Sequence, residues 1–238
     1  MISLLLFVEI VIIILMMDNS LTVLFLTVNR TPKKWAEYHK SVLLNAIGDT
    51  PIITISRKPL DWGINLIQKE KPSVLNIYKQ LLRGARAAKT PYIAVAEDDC
   101  LYPRDHFEYR PKKDVFAYNH HRWGLLTWGE PVFYHRPRIS NSTLIASREL
   151  VVKALEERFR LYPDFGSIRE LGRERGTRLS YRNKLDYFYT TGSVVFLSHI
   201  YSLDATEREQ RKKIGKIRAY EIPIWGRAED IVKKFYEK

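Results

Sequence analysis

Cysteine occurs only once, at Cys100, so no internal disulfide can staple this chain, and a lone thiol suits a reducing compartment. Internal repeats and low-complexity linkers are absent, which removes solenoids and tethered arrays from consideration. The first seventeen residues, MISLLLFVEIVIIILMM, contain no basic residue and so lack the start of a secretory signal. Acidic residues are in the minority: 27 Asp and Glu stand against 39 Lys and Arg, a net charge of +12. Such an excess attracts polyanions, which makes nucleic acid, anionic headgroups and phosphorylated small molecules the natural partner classes.

What is present is ordinary for a globular fold: 45% hydrophobic and 28% charged residues in a chain of 238, long enough for one domain with a full core. The apolar residues 1–17 would make a helix of about 25 Å, short of a bilayer core of about 30 Å. Glu9 near its middle would add a penalty on the order of a few kcal/mol. A membrane anchor, an extra buried element and an upstream extension of a frame starting at Met17 are the three readings of this segment. The third is the expectation here, because MDNSLTVLFLTVNR opens directly onto a first strand. A cytoplasmic location follows from it, in a host cell if the source is viral; an anchor would instead put the basic remainder on the cytoplasmic face.

The β-rich run LTVLFLTV at 21–28 is apolar on both faces, as a central parallel strand is, and a helix is expected from Pro32 to about residue 46. PIITIS at 51–56 predicts a second strand, 57–71 a loop, Pro72 the opening of a second helix, and YIAVA at 92–96 a third strand. Alternating strands and helices imply right-handed crossovers and a parallel sheet whose ligands gather at the carboxyl ends of the strands. Later come DVFAYN, GLLTW, PVFYHR and STLIAS as short strands, a helix at 148–159, and a final β-run SVVFLSHI. The second half is expected to elaborate the same sheet.

The sharpest chemical signal is TPYIAVAEDD, an apolar strand ending in Glu97, Asp98 and Asp99. Successive carboxylates repel one another and are costly to bury, so a cation belongs beside them. A hard divalent ion with oxygen ligands and substrate phosphates meets that need; a helix cap or a solvated acidic turn is the bland alternative. Strand alternation predicts Glu97 and Asp99 on one side and Asp98 on the other.

The succession LTVLFLTVNR, PIITISR, a helix and YIAVAEDD resembles the GT-A glycosyltransferases, above all the family 2-like enzymes with a DxD motif, over about residues 21–200. The resemblance implies an α/β fold, with a Rossmann-like, mostly parallel central sheet flanked by helices in a single domain. Its donor half would span about 21–103 and its acceptor half about 104–205, with a basic segment at 206–238. Glu97 and Asp99 match the two acids of the motif, Glu97 departing from the usual first Asp, and Asp98 fills the variable place. The family also implies a late-strand imidazole, His199, as a further ligand to Mn²⁺ or Mg²⁺, and a nucleotide-sugar donor such as a UDP-sugar. Thr27, Asn29, Arg30, Ser56 and Arg57 are then expected at the nucleotide, and Glu170, or failing that Asp164, as the base. Neither acid matches the usual Glu-Asp pair of inverting members, and Glu170 has the alternative of pairing with Arg169 or Arg173.

On the acceptor side, His121, Trp123 and Trp128 are the candidates, because indole rings stack on sugars and bases; core packing explains tryptophans equally well. Basic residues between Arg208 and Arg218, in a stretch of helical character, suit a polyanion or simply a solvated helix face. The net charge directs attention to DNA carrying hydroxymethylated bases, as in a phage modification enzyme, and an anchor would direct it to lipid-linked or cell-surface glycans. A nucleotidyltransferase and a noncatalytic nucleic-acid-binding protein are the rival classes.

Overall fold

A computed structural model describes residues 20–163, 170–174, 176–201 and 216–236. Residues 1–17, Asp164, Arg169, Arg208, Arg211, Lys212 and Lys213 lie outside the described residues.

The first half alternates as its hydrophobic pattern predicts. β1 (Leu21–Leu26), α1 (Lys33–Ile47), β2 (Ile52–Ser56), β3 (Ile64–Ile67), α2 (Val74–Ala87) and β4 (Tyr92–Glu97) follow in order. Pro32 precedes the first turn of α1, and the Ser73 hydroxyl caps α2 by accepting from the Asn76 amide at 3.0 Å. The strand β3 falls inside the stretch expected to be loop. Its side chains are exposed or half-buried and Asn65 interrupts its short apolar stretch, so pairing with the β2 edge holds it as a strand.

Strand order in the main sheet is β10-β6-β9-β4-β1-β2-β3, with β6 (Phe116–Asn119), β9 (Leu144–Ser147) and β10 (Leu185–Phe188) supplied by the second half. Four of its six pairings are parallel; β9 runs antiparallel to both β4 and β6. Leu24 and Leu26 face one side with α2 and α4 (Arg148–Leu161), while Val23 and Phe25 face the other with α1. Period-two alternation of wholly apolar residues thus buries both faces of β1. Each such side chain contributes about 1.5–3 kcal/mol relative to exposure.

The second half corrects one expectation. It does not all join this sheet: β5 (Cys100–Leu101), β7 (Arg122–Leu126), β8 (Phe133–His135), β11 (Val194–Ser198) and β12 (Arg218–Ala219) make a second sheet, ordered β12-β8-β7-β11-β5. A short helix α3 (Arg104–Glu108) follows β5, and the hairpin β13 (Glu221–Ile222) and β14 (Gly226–Arg227) leads into α5 (Ala228–Phe235). Arg218, expected in a helical stretch, stands in a strand because β8 offers it an edge. A third core cluster joins this sheet to α1 and α5 through Trp35, Leu125, Phe133, Leu197, Ile231 and Phe235. Among the described residues no helix is long and apolar enough to cross a membrane.

Candidate functional site

The two sheets meet at the acids. β4 belongs to the first sheet and ends at Glu97, β5 belongs to the second and begins at Cys100, and Asp98 and Asp99 form the turn between them. Every carbonyl of that turn is held. The Trp35 indole donates to Asp98 O at 2.7 Å, the Leu197 amide to Asp99 O at 2.7 Å, and His39 Nε2 to Cys100 O at 2.7 Å. Trp35 and His39 stand one turn apart on α1, so one helix face clamps the reversal. Burial lowers His39 to about 4 and keeps its ring neutral, which leaves it a fixed donor to a carbonyl. On the β4 side, the Tyr102 hydroxyl accepts from the Glu97 amide at 3.0 Å and donates to Ser142 O at 2.9 Å.

With the backbone fixed, the three carboxylates diverge in role. Glu97 and Asp99 bring ligand atoms, together with the Cys100 sulfur, within 4.8 Å of one another. Asp98 turns to β1 and accepts a hydrogen bond from the Thr27 hydroxyl. The expected side-by-side grouping of Glu97 and Asp99 therefore arises, but through a turn rather than through strand alternation. Burial, with Asp99 and Asp98 nearby, pushes Glu97 up to about 8. Burial and Asp99 push Asp98 up to about 6 against the opposing pull of Thr27. Burial also opposes ionisation of Asp99, yet the facing His199 and the Cys100 thiol hold it below the ordinary range.

His199 follows β11 and places Nε2 3.6 Å from Asp99 Oδ2. Its Nδ1 accepts from the Tyr201 amide at 3.2 Å, which leaves Nε2–H as the donor facing Asp99. In this arrangement His199 is a donor to the carboxylate; direct ligation through Nε2 requires the other tautomer. The oxygen-rich pair Glu97 and Asp99 fits a hard divalent ion. Cys100 does not compete as a thiolate, because burial and the two acids raise it well above the ordinary thiol range.

The acids open into a cleft of about 560 Å³ that Thr27, Arg30, Glu97, Asp98, Asp99, Glu170 and His199 all line. Glu170, 28% exposed at its side chain, lies 4.0 Å from Arg173, the pairing anticipated as its alternative role. Asn29, Ser56 and Arg57 are not brought to this cleft. The Asn29 carboxamide accepts from the Arg57 and Lys58 amides at 2.8 and 2.9 Å, and buried Ser56 donates to Lys58 O at 2.7 Å, so these residues tie two strand ends together. His121, Trp123 and Trp128 also lie off its lining. His121 donates from Nδ1 to Thr190 O at 2.8 Å, Trp123 packs in the third core with its ring 5.2 Å from His135, and Trp128 is half-buried.

Sequence reading missed two sets of lining residues. Gln68, Asn76 and Gln80 form a buried amide chain from the Thr27 carbonyl onward, with links of 3.2, 2.8 and 2.9 Å. The signal was there: Asn76 and Gln80 are polar at i and i+4 on the buried face of an otherwise amphipathic helix. Arg122, Arg136 and Arg138 line the same cleft.

No protein-family model matches the chain, and no curated protein sequence matches it. Solved structures similar to it include a nucleotidyl transferase from Methanothermobacter thermautotroptrophicus, with 16% identity and a TM-score of 0.37, over 58% of this chain and 76% of that one. Another is a glycosyltransferase involved in the glycosylation of the major capsid of PBCV-1, with 11% identity and a TM-score of 0.41, over 81% of this chain and 97% of that one.

Proposed function

We propose that this chain is a glycosyltransferase that moves a sugar from a nucleoside-diphosphate donor, such as a UDP-sugar, to an acceptor hydroxyl. The observation that carries the reading is the fixed turn that aims Glu97 and Asp99 together into a cleft at the carboxyl ends of parallel strands. Glu97 and Asp99 would hold Mn²⁺ or Mg²⁺, with His199 joining them in its other tautomer. Held there, a divalent ion would supply charge neutralisation for the diphosphate leaving group.

The chain's own residues supply the rest. Thr27 orients Asp98, and with Arg30 and the Gln68, Asn76 and Gln80 amides it forms the donor-side wall. Transfer breaks the bond between the anomeric carbon and the diphosphate oxygen, which keeps the electron pair, and forms a bond from the acceptor oxygen to that carbon. Glu170 is the cleft carboxylate assigned to take the acceptor proton, with Asp164 as the second candidate. His121, Trp123 and Trp128 are retained as residues of an acceptor approach beyond the cleft, and Asn29, Ser56 and Arg57 as supports of the donor-side strand ends. Net charge favours a polyanionic acceptor, DNA with hydroxymethylated bases among them, over a lipid-linked or cell-surface glycan.

Nucleotidyl transfer is the second reading, favoured by the same acids lying beside a buried amide chain suited to a base. Products separate the two. Incubation with a panel of sugar nucleotides and Mn²⁺, with and without hydroxymethylated DNA, is expected to release nucleoside diphosphate and add a hexose mass to the acceptor. A parallel incubation with nucleoside triphosphates and a sugar 1-phosphate tests the second reading, which releases pyrophosphate as the nucleotidyl group is transferred. Donors left intact under every condition, with DNA still bound after Asp99→Asn, sink both in favour of a noncatalytic nucleic-acid-binding protein.

A further inference from the structure

The cleft holds a second charged constellation, opposite in sign to the acids. Arg122 opens β7 and is only 4% exposed, with its guanidinium carbon 4.7 Å from the centre of the Phe196 ring. Arg136 lies 5.5 Å from the same ring. The three arginines are linked through their backbones: Arg136 N donates to Arg122 O at 3.0 Å, Arg138 N to Arg136 O at 2.7 Å, and Arg122 Nη1 returns a bond to the Arg138 carbonyl. All three line the cleft that Glu97, Asp98 and Asp99 also line.

Nothing among the described residues neutralises this group at contact range. No carboxylate forms an ion pair with Arg122, Arg136 or Arg138, and the buried Arg122 Nε has no hydrogen-bond partner among the described residues. Glu97 feels Arg122 only at a distance. Burial lowers the pKa of Arg122 and of Arg136, and the neighbouring guanidinium adds to the lowering in each case. A nearly buried cation beside two like charges is costly to leave without an anion. Guanidinium forks match the oxygens of a phosphoryl group in pairs, which a compact ammonium does not.

We propose that Arg122, Arg136 and Arg138 form an oxyanion site for a phosphoryl group beside the acid cluster, separate from any metal-held phosphate. Within the transferase reading, on which its functional meaning rests, the group is carried either by the acceptor or by the donor. The site itself is defined by binding alone.

The test is calorimetric titration of the intact protein with inorganic phosphate at low salt in the presence of a chelator. Phosphate is expected to bind without divalent ion, Arg138→Ala and Arg136→Ala each to weaken it by about tenfold, and Asp99→Asn to leave it intact or tighter. Arg138 is exposed, so its variant folds; Lys33→Ala, an exposed cation elsewhere, serves as the neutral control. Equal affinity in wild type and both arginine variants, or no binding at all, overturns the site. A saturating nucleoside diphosphate with Mn²⁺ that displaces phosphate assigns the group to the donor, and persistence of phosphate binding in that complex assigns it to the acceptor. If no nucleoside diphosphate binds, the transferase reading fails while the phosphate result stands independently.

Discussion

The Thr27 hydroxyl, one residue past β1, donates a hydrogen bond to the Asp98 carboxylate, one residue past β4, and accepts one from the Asn29 amide at 2.8 Å. Two adjacent parallel strands are thereby joined at their carboxyl ends by side chains where their ladder stops. The bond stabilises the charged form of Asp98 against burial, which acts the other way. Thr27→Val keeps shape and removes the donor. Hydrogen bonds to charged groups contribute about 1.5–3 kcal/mol, so divalent-ion affinity is expected to fall about tenfold or more with little change in fold. Ion titration together with circular dichroism checks this; unchanged affinity would separate Asp98 from the ion.

Asp99→Asn removes one ligand charge and the anionic partner of His199. Divalent-ion binding is expected to drop below detection and sugar transfer to fall by about a hundredfold or more, with the fold retained by circular dichroism. Isotope-labelled donor turnover and calorimetry measure both. Near-normal transfer by this variant removes the metal from the reaction.

The pH dependence follows from Glu97 and Asp98. Their ordinary values, 4.5 and 3.8, rise to about 8 and about 6 in the folded chain. Between those limits the folded state holds protons that the unfolded state has released, so stability falls as pH rises through that window. Without divalent ion, the melting temperature is expected to decline from pH 6 to pH 9. Added Mn²⁺ should raise it more at the upper end, because binding there displaces fewer protons. A scanning series with and without Mn²⁺ decides; a flat metal-free profile contradicts the burial and mutual repulsion of the acids.

Gly124 tests the aromatic support of the arginines. A Cβ there would meet Tyr134 Cζ at 2.3 Å and Phe196 Cζ at 2.5 Å, inside the edge-to-face pair those rings form at 5.8 Å. Gly124→Ala is expected to destabilise by about 1–3 kcal/mol through overpacking and, by moving Phe196, to weaken phosphate binding as well. Denaturant unfolding and calorimetry read the two effects separately.

Arg158 and Glu174 form an ion pair with both side chains 0% exposed, the Arg158 guanidinium 4.6 Å from the ring centre of Tyr78, a cleft residue. Glu174→Ala removes the buried carboxylate that faces Arg158 and is expected to cost about 3–5 kcal/mol in chemical unfolding. Replacing both residues with apolar ones of similar size should recover most of that loss.

The parts of the fold legible in the sequence are those where burial leaves a one-dimensional trace. β1 and β4 are apolar on both faces, and α1 repeats at helical spacing, so both read directly. β3 and β10 are four-residue strands at sheet edges, each interrupted by a polar residue and mostly exposed or half-buried, whose pairing depends on neighbouring strands. The second sheet was hidden because β5 and β12 are two residues each. In the site, Glu97, Asp99 and His199 were legible as charged or ligating residues ending apolar runs. Reading GLLTW and its aromatics found the strand bordering the cleft, but it is Arg122, next to Trp123, that lines the cavity. Alternation along a strand decides which neighbour faces inward, and that is fixed only once both sheets are in place.

The passage from β4 to β5 transfers the chain between sheets across Asp98 and Asp99 alone, with its carbonyls anchored to α1 at Asp98 and Cys100 and to β11 at Asp99. Such a joint has no slack. One inserted residue would slip β5 out of register with β11 and swing the carboxylates away in the same stroke, whereas insertions in the exposed tip at Gly129 leave both untouched. Length variation in homologous chains should therefore vanish at this joint, even where sequence identity does not survive.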